Sequence, residues 1–233
     1  MYYYQTNISS SSERSKYAMP TLRLNTNKSQ AKKQKTNGEK MTPKQKNHNN
    51  AKAEVNLSTA CMLLHPMHTV LVSCIGKTGK PNIITLAWAM PTSINPPLVA
   101  VSIRPERHSY KLIEETKEFV VNIPTIELLQ ATLFCGRKSG KEHDKFKETG
   151  LTPIPAQKVK APIIKECAAH LECTLHSQLT TGDHTIFVGQ IVSAYADKTA
   201  YKNRYKLKKA KMIYHIGGNN FATLKPKIYK PRL

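Results

Sequence analysis

Three short segments hold residue types at spacings that could do chemistry. The first, RPERHSY at 104–110, sets Arg104 and Arg107 just ahead of His108, Ser109 and Tyr110. It leaves a β-rich apolar run and enters a helical pattern, so its first helical turn offers unpaired backbone N–H groups. Two guanidiniums, a hydroxyl and a helix N-terminus together suit a terminal phosphate. The competing reading is a helix capped by Ser109 with two solvated arginines.

The second segment is CGRKSGKEHDKF at 135–146. Its Ser139 hydroxyl, Lys145 ammonium and backbone donors could close over an anion; otherwise it is an ordinary polar connection. The third is NIITLAW at 82–88. Asn82 and Thr85 can pair with the polar edge of a heterocycle, and Ala87 leaves room for a flat ring. Trp88, the single tryptophan, would wall such a ring or serve as plain core.

Other patterns fail on spacing. Gly76, Lys77 and Thr78 end like a phosphate-cradling loop, but no glycine stands five places before Gly76. The run from Gly136 to Lys141 is one residue short, and no G-x-G occurs for a dinucleotide fingerprint. Cys167, His170, Cys173 and His176 recur every three residues. On a strand the two cysteines face one side and the two histidines the other, so no metal site is expected.

The elements that must position these segments follow from periodicity. Strands are predicted at 68–75, 82–90 and 98–104, with a turn at 76–81 and a Pro-rich corner at 91–97. A helix is predicted at about 109–117, a strand at 118–124 and a second helix at 125–135, followed by a Gly-containing loop at 136–150. Period-two alternation marks a strand around 170–176, and another is predicted at 185–196, with Gly189 marking a bulge or a close backbone approach. Residues 212–216 are a candidate for the last. The fold class is mainly β with inserted helices, which suits a closed or half-closed barrel better than βαβ units.

Charge is unevenly placed. Residues 1–53 hold eleven Lys or Arg against two Glu, and 198–233 hold eleven with no acid. Between them, 54–197 is close to neutral, with fourteen basic and thirteen acidic residues. The Asn-, Lys- and Ser-rich 1–53 is expected to be a disordered basic extension, 54–233 the domain, and 198–233 its basic tail. Such ends are solvated tails or bind anionic surfaces without sequence specificity, so no specific nucleic-acid recognition is expected. YKNRYKLKKAK at 201–211, with rings among cations, is the one stretch that could grip nucleic acid. No apolar run approaches the roughly 18 residues of a membrane span. Five cysteines, an odd number, fit reduced thiols and a cytoplasmic setting.

Taken in order, NIITLAW, NPPLVAVSIRPERHSY, EFVVNIP, CGRKSGKEHDKF, LEC and GDHTIFVGQIV resemble the flavin-reductase-like, FMN-binding split-barrel family, especially its flavoredoxin branch. The resemblance implies an FMN-binding split β-barrel that works as a homodimer. It implies that the FMN phosphate meets Arg104, His108, Ser109 and Tyr110, with Ser139 and Lys145 near. The ring system would lie against Asn82, Thr85, Ala87 and Trp88, with Ser102 and Asn122 close by. His184, in Gly-Asp-His at 182–184, would lie where a nicotinamide docks; an exposed turn histidine is the alternative. The activity implied is NADH- or NADPH-dependent reduction of flavin or a ferric complex, with no catalytic acid or base required. A non-enzymatic electron carrier between redox protein partners is the alternative.

Overall fold

The computed structural model describes residues 52–231. All but the last two residues of the expected extension 1–53 therefore lie outside the described residues. After a 3₁₀ turn at Leu57–Leu64 come β1 (Met67–His68), β2 (Val70–Ile75), β3 (Pro81–Leu86), β4 (Ala89–Ser93) and β5 (Leu98–Ile103). Helix α1 (His108–Thr116) leads into β6 (Glu118–Ile123), and α2 (Leu129–Arg137) and α3 (Lys145–Thr149) follow. A short pair, β7 (Pro153–Ile154) and β8 (Ile163–Ile164), precedes the long hairpin of β9 (Ala169–Thr181) and β10 (His184–Ala196). Next come β11 (Tyr201–Lys202) and β12 (Arg204–Tyr205), then β13 (Tyr214–Gly217) and β14 (Asn220–Ala222).

Seven strands form one antiparallel sheet in the order β3-β2-β6-β9-β10-β5-β4. Its two edge strands, β3 and β4, are separated in sequence by only Ala87 and Trp88. Three residue steps reach at most about 11 Å, so the sheet must curl until its edges meet. Trp88 is already paired to β5, its carbonyl accepting from the Ser102 N–H at 3.0 Å. The crossing therefore falls on Ala87, and the barrel is split along a seam between β3 and β5. This is why the single strand expected at 82–90 is two strands. The expected proline corner shrinks to 94–97, because Pro91 is accommodated on the edge strand β4.

Alternation along the strands fills the barrel. Val70, Val72 and Cys74 of β2 point inward with Val101, Ile103, Phe119, Val121 and Phe187, and α1 adds Leu112 and Ile113. Leu71 and Ile83 face outward, yet they are buried beneath α2 and α3 with Cys135 and Phe146. A strand covered on both faces explains the run VLVSCI, apolar except for Ser73, which is buried and donates its hydroxyl to Pro162 O. At Gly189 the β9–β10 register shifts, and a Cβ there would stand 2.5 Å from Phe119 Cζ and 2.9 Å from Cys173 Cβ. Bulge and close approach thus coincide, as the sequence predicts.

Three further expectations change. The loop at 136–150 is partly helical, because Asp144 caps α3 through the Lys147 N–H at 3.2 Å and Gly150 ends it at φ 70°. Cys167 lies outside the barrel beside Cys135, whereas Cys173 lies inside, since β9 begins only at Ala169. The basic tail is also folded in part: β11 to β14 occupy 201–222, and Ala200, Ala210, Met212 and Ile213 are buried.

Helix α1 ends at Lys117, a non-glycine residue at φ 59°, ψ 27°. Left-handed backbone strains a side chain with a Cβ. Lys117→Gly is therefore expected to stabilise the fold by about 0.5–1 kcal/mol, read from urea unfolding midpoints.

Candidate functional site

The seam opens into two adjoining cavities of about 450 and 350 Å³. Ile84, Arg104, Arg107 and Gly136 line both.

The smaller cavity lies at the N-terminus of α1. Arg107 is the N-cap and gives no side-chain cap bond, so no side chain answers the amides of the first turn. Ser109 is buried one residue into the helix, and its Oγ accepts from Asn82 Nδ2 at 2.8 Å. Gly140 lies so close to Asn82 that a Cβ would collide with the amide. Lys145, 5% exposed, comes up from α3 and donates its Nζ to Ile83 O at 2.7 Å and Cys135 O at 2.8 Å. Among the described residues no carboxylate pairs with it. Burial pulls its pKa below the ordinary lysine value. Burial, reinforced by Lys141, Lys145 and Lys80, likewise lowers that of His108. Burial pushes the Cys135 thiol up to about 11, so it stays protonated.

The larger cavity is bounded by the edge of β3 and by α2. Thr85 Oγ1 donates to Thr132 O at 2.6 Å, tying strand to helix. At Gly136 a Cβ would stand 3.2 Å from Thr85 Cβ. The hydroxyls of Thr69 and Thr132, both on residues lining this cavity, are buried with no partner. Across the seam the His184 ring lies over Trp88, centroids 4.7 Å apart and planes at 36°. Asp183 holds two groups at once, Arg104 Nη2 at 2.6 Å and His184 Nδ1 at 2.6 Å. The His184 bond first, and Arg104 after it, keep the Asp183 carboxyl below its usual range.

The outer wall comes from both ends of the described chain: Met62 and His65, with His215, Gly218 and Phe221. His215 Nε2 bonds Gly218 O at 3.1 Å, and its Nδ1 lies 3.3 Å from His65 Nε2. A carbonyl only accepts, so His215 Nε2 is the donor to Gly218 O. Arg137 clamps this wall to α2 by donating to Gly218 O at 2.8 Å and to the Asn219 side chain.

Of the residues read from sequence, Arg104, His108, Ser109, Ser139 and Lys145 gather around the smaller cavity. Asn82 joins them rather than the expected ring site. Thr85, Ala87, Trp88, Ser102 and His184 line the larger one. Two stand elsewhere. Tyr110 turns into the barrel, edge-on to Phe187 at 5.0 Å. Asn122 is fully buried on the outer face of β6, donating to Leu71 O, Ser73 Oγ and Val120 O and accepting from the Ile164 N–H. Sequence reasoning missed Thr132, Gly136 and the His65–His215 wall. Helical spacing around 132–136 was visible, but nothing local signals that β1 pairs with β13, far along the chain.

Residues 62–219 match the model of the flavin reductase like domain. The chain belongs to the flavin reductase-like family. An uncharacterized protein of Archaeoglobus fulgidus is 38% identical over 169 residues, covering 72% of this chain and 94% of its own. A flavin reductase of Pseudomonas putida is 31% identical over 127 residues, which is 54% of this chain and 71% of that protein. Flavoredoxin of Desulfovibrio vulgaris (Miyazaki F) superposes with a TM-score of 0.69 at 26% identity, over 76% of this chain and 97% of its own. The split barrel of this family member is thus the frame of the cleft. No helix among the described residues is long and apolar enough to cross a membrane.

Proposed function

We propose that this cleft binds FMN and that the protein is an oxidoreductase taking electrons from NADH or NADPH and passing them to free flavin or a ferric complex. One observation carries the reading: a buried ammonium, Lys145, stands without a carboxylate beside an uncapped helix N-terminus, at the end of a cleft of ligand size. A buried charge calls for a partner, and a phosphate supplies one. The unpartnered hydroxyls of Thr69 and Thr132 in the adjoining cavity fit a heterocycle bearing polar edge atoms. Bound FMN supplies a two-electron acceptor that releases electrons singly or in pairs.

The chain's own part is binding, orientation and exclusion of water. Arg104, Arg107 and Lys145 hold the anion, with Ser139 in reach of the same cavity. The unpaired edge of β3 offers backbone groups to the ring system, and α2 shields the opposite side. Asp183 fixes the Nδ1 proton of His184, which leaves Nε2 to meet a nicotinamide against the Trp88 wall. The homodimer belongs to the same reading. Edge strand β4 leaves Met90 59% exposed, with Ile94 95% exposed just beyond it, an edge that a second copy would cover. Light scattering at twice the chain mass checks that point.

The test is the visible spectrum of the purified protein after addition of FMN and desalting. A retained two-band spectrum, bleached anaerobically by NADH or NADPH, is the expected result. A protein that keeps no FMN sinks the reading. Retention without bleaching by either nicotinamide converts it to the electron carrier.

A further inference from the structure

The segment 198–211 carries seven cations and no acid. All seven are exposed, and none forms an ion pair among the described residues. They are not on a loose tail. Ala200 and Ala210 are buried, Tyr205 packs on the barrel core, and Tyr201 lies edge-on to it at 5.1 Å. Backbone bonds from Lys206 N to Ala200 O at 2.8 Å and from Ala210 N to Lys206 O at 3.0 Å hold the β11–β12 hairpin in place. The backbone thus fixes like charges side by side, which costs stability unless an anionic surface comes to meet them.

Position indicates what that surface belongs to. From Lys211 the chain pairs with the entry to α2, Ile126 N to Lys211 O at 2.8 Å, and then with Thr69 N through Ile213 O at 2.9 Å. Two residues later it supplies His215 to the cleft wall. A body resting on the hairpin therefore lies against an element continuous with the wall of the cleft.

We propose that the β11–β12 hairpin docks an acidic electron-transfer protein that takes electrons from the cleft. This rests on the reading that the cleft holds FMN. The balance is complete. NAD(P)H gives two electrons and a proton as hydride, two docked partners each take one electron at a one-electron metal centre, and the proton leaves to solvent. Nucleic acid is the weaker occupant, because Tyr205 packs on the barrel core and Tyr201, though exposed, is set edge-on against it, which leaves one ring and no row of open rings for base stacking.

The experiment uses the full chain loaded with FMN, small acidic cytochrome b5 as the probe and basic cytochrome c as the control. Wild type is expected to reduce cytochrome b5 from NADPH at a rate that falls steeply with salt. The triple variant Lys202→Glu, Arg204→Glu, Lys209→Glu should lose at least tenfold of that rate and most of its salt dependence. Its flavin spectrum and the bleaching of that flavin by NADPH should stay as in wild type. Calorimetric binding of oxidised cytochrome b5 should fall in parallel, and this readout needs no flavin, so a protein without FMN is distinguished from one without a docking site. An unchanged cytochrome b5 rate and affinity in the variant overturns the proposal. So does equal loss toward cytochrome c, or loss confined to binding of a random single-stranded oligonucleotide, which would assign the hairpin to nucleic acid.

Discussion

Replacing Lys145 by Met should weaken FMN binding by about 30-fold or more, measured by quenching of flavin fluorescence. The side chain is 5% exposed, and its ammonium meets only two carbonyls, those of Ile83 and Cys135. Removing one member of a buried charge pair costs 2–5 kcal/mol, and about 1.4 kcal/mol is tenfold in affinity. The apo fold should change far less. The variant leaves two carbonyls without their donor, but it also removes the desolvation cost of an unpaired ammonium, and these act in opposite directions. A loss of affinity below about threefold would mean that the anion sits elsewhere.

The same residue gives a pH dependence of known sign. Burial lowers the Lys145 pKa, so the ammonium loses its proton below the ordinary lysine range. A bound phosphate favours the charged form, so binding and protonation are linked. As pH rises from 7 toward about 10, wild-type affinity should fall as the proton is lost. In Lys145→Met the curve should lack that limb. For the empty fold the sign is reversed. The cost of burying the charge is present at neutral pH and is relieved as pH rises through the lowered pKa.

What was legible in the sequence was local. Leu112 and Ile113 on α1, the alternation of Val70, Val72 and Cys74, and the bulge at Gly189 are written in spacing and residue type. Arg104, His108, Ser109 and Lys145 could be singled out because each lies at a strand-to-helix or loop-to-helix junction, and the structure brings them around one cavity. What failed was closure. The break at Ala87 exists only because the two edges of one sheet must meet, and no window of nine residues contains that requirement. The wall of His65 and His215 joins residues 150 positions apart. Tyr110 and Asn122 stand apart from the two cavities for a related reason. A residue's chemistry suggests a ligand, but the side of the sheet it occupies is set by pairing with strands far along the chain.

Asn122 and Glu172 show what such outward polar residues do, and Glu172→Ala should be the most destabilising of the substitutions considered, by about 3–5 kcal/mol. Val120 pairs with Glu172 and Asn122 with His170 across β6 and β9, so both polar residues stand on the outer face. That face is covered by Val159, Ala161 and Ile163. The cover has little regular structure, and its backbone amides need acceptors. Fully buried Glu172 supplies them, accepting from Gln157 N at 2.9 Å, Lys158 N at 2.6 Å and the Tyr195 hydroxyl at 2.9 Å. Asn122 does the same for the Ile164 N–H at 3.0 Å. Burial alone would raise the Glu172 pKa, but these three donors outweigh it and hold the carboxyl below its usual range. Its contribution is therefore complete above the unfolded value near pH 4.3 and is lost as pH falls through the depressed one. Urea unfolding at pH 7 should show the full loss in Glu172→Ala, and the gap between wild type and Glu172→Gln should narrow in acid. FMN affinity should stay within about twofold in Glu172→Ala and in Asn122→Ala, because both residues act on the cover and not on the cleft. A loss of stability under about 1 kcal/mol in Glu172→Ala would show that the cover holds without its anchor. A large loss of flavin affinity in Asn122→Ala would return Asn122 to the binding site, against its five hydrogen bonds on the other side of the sheet.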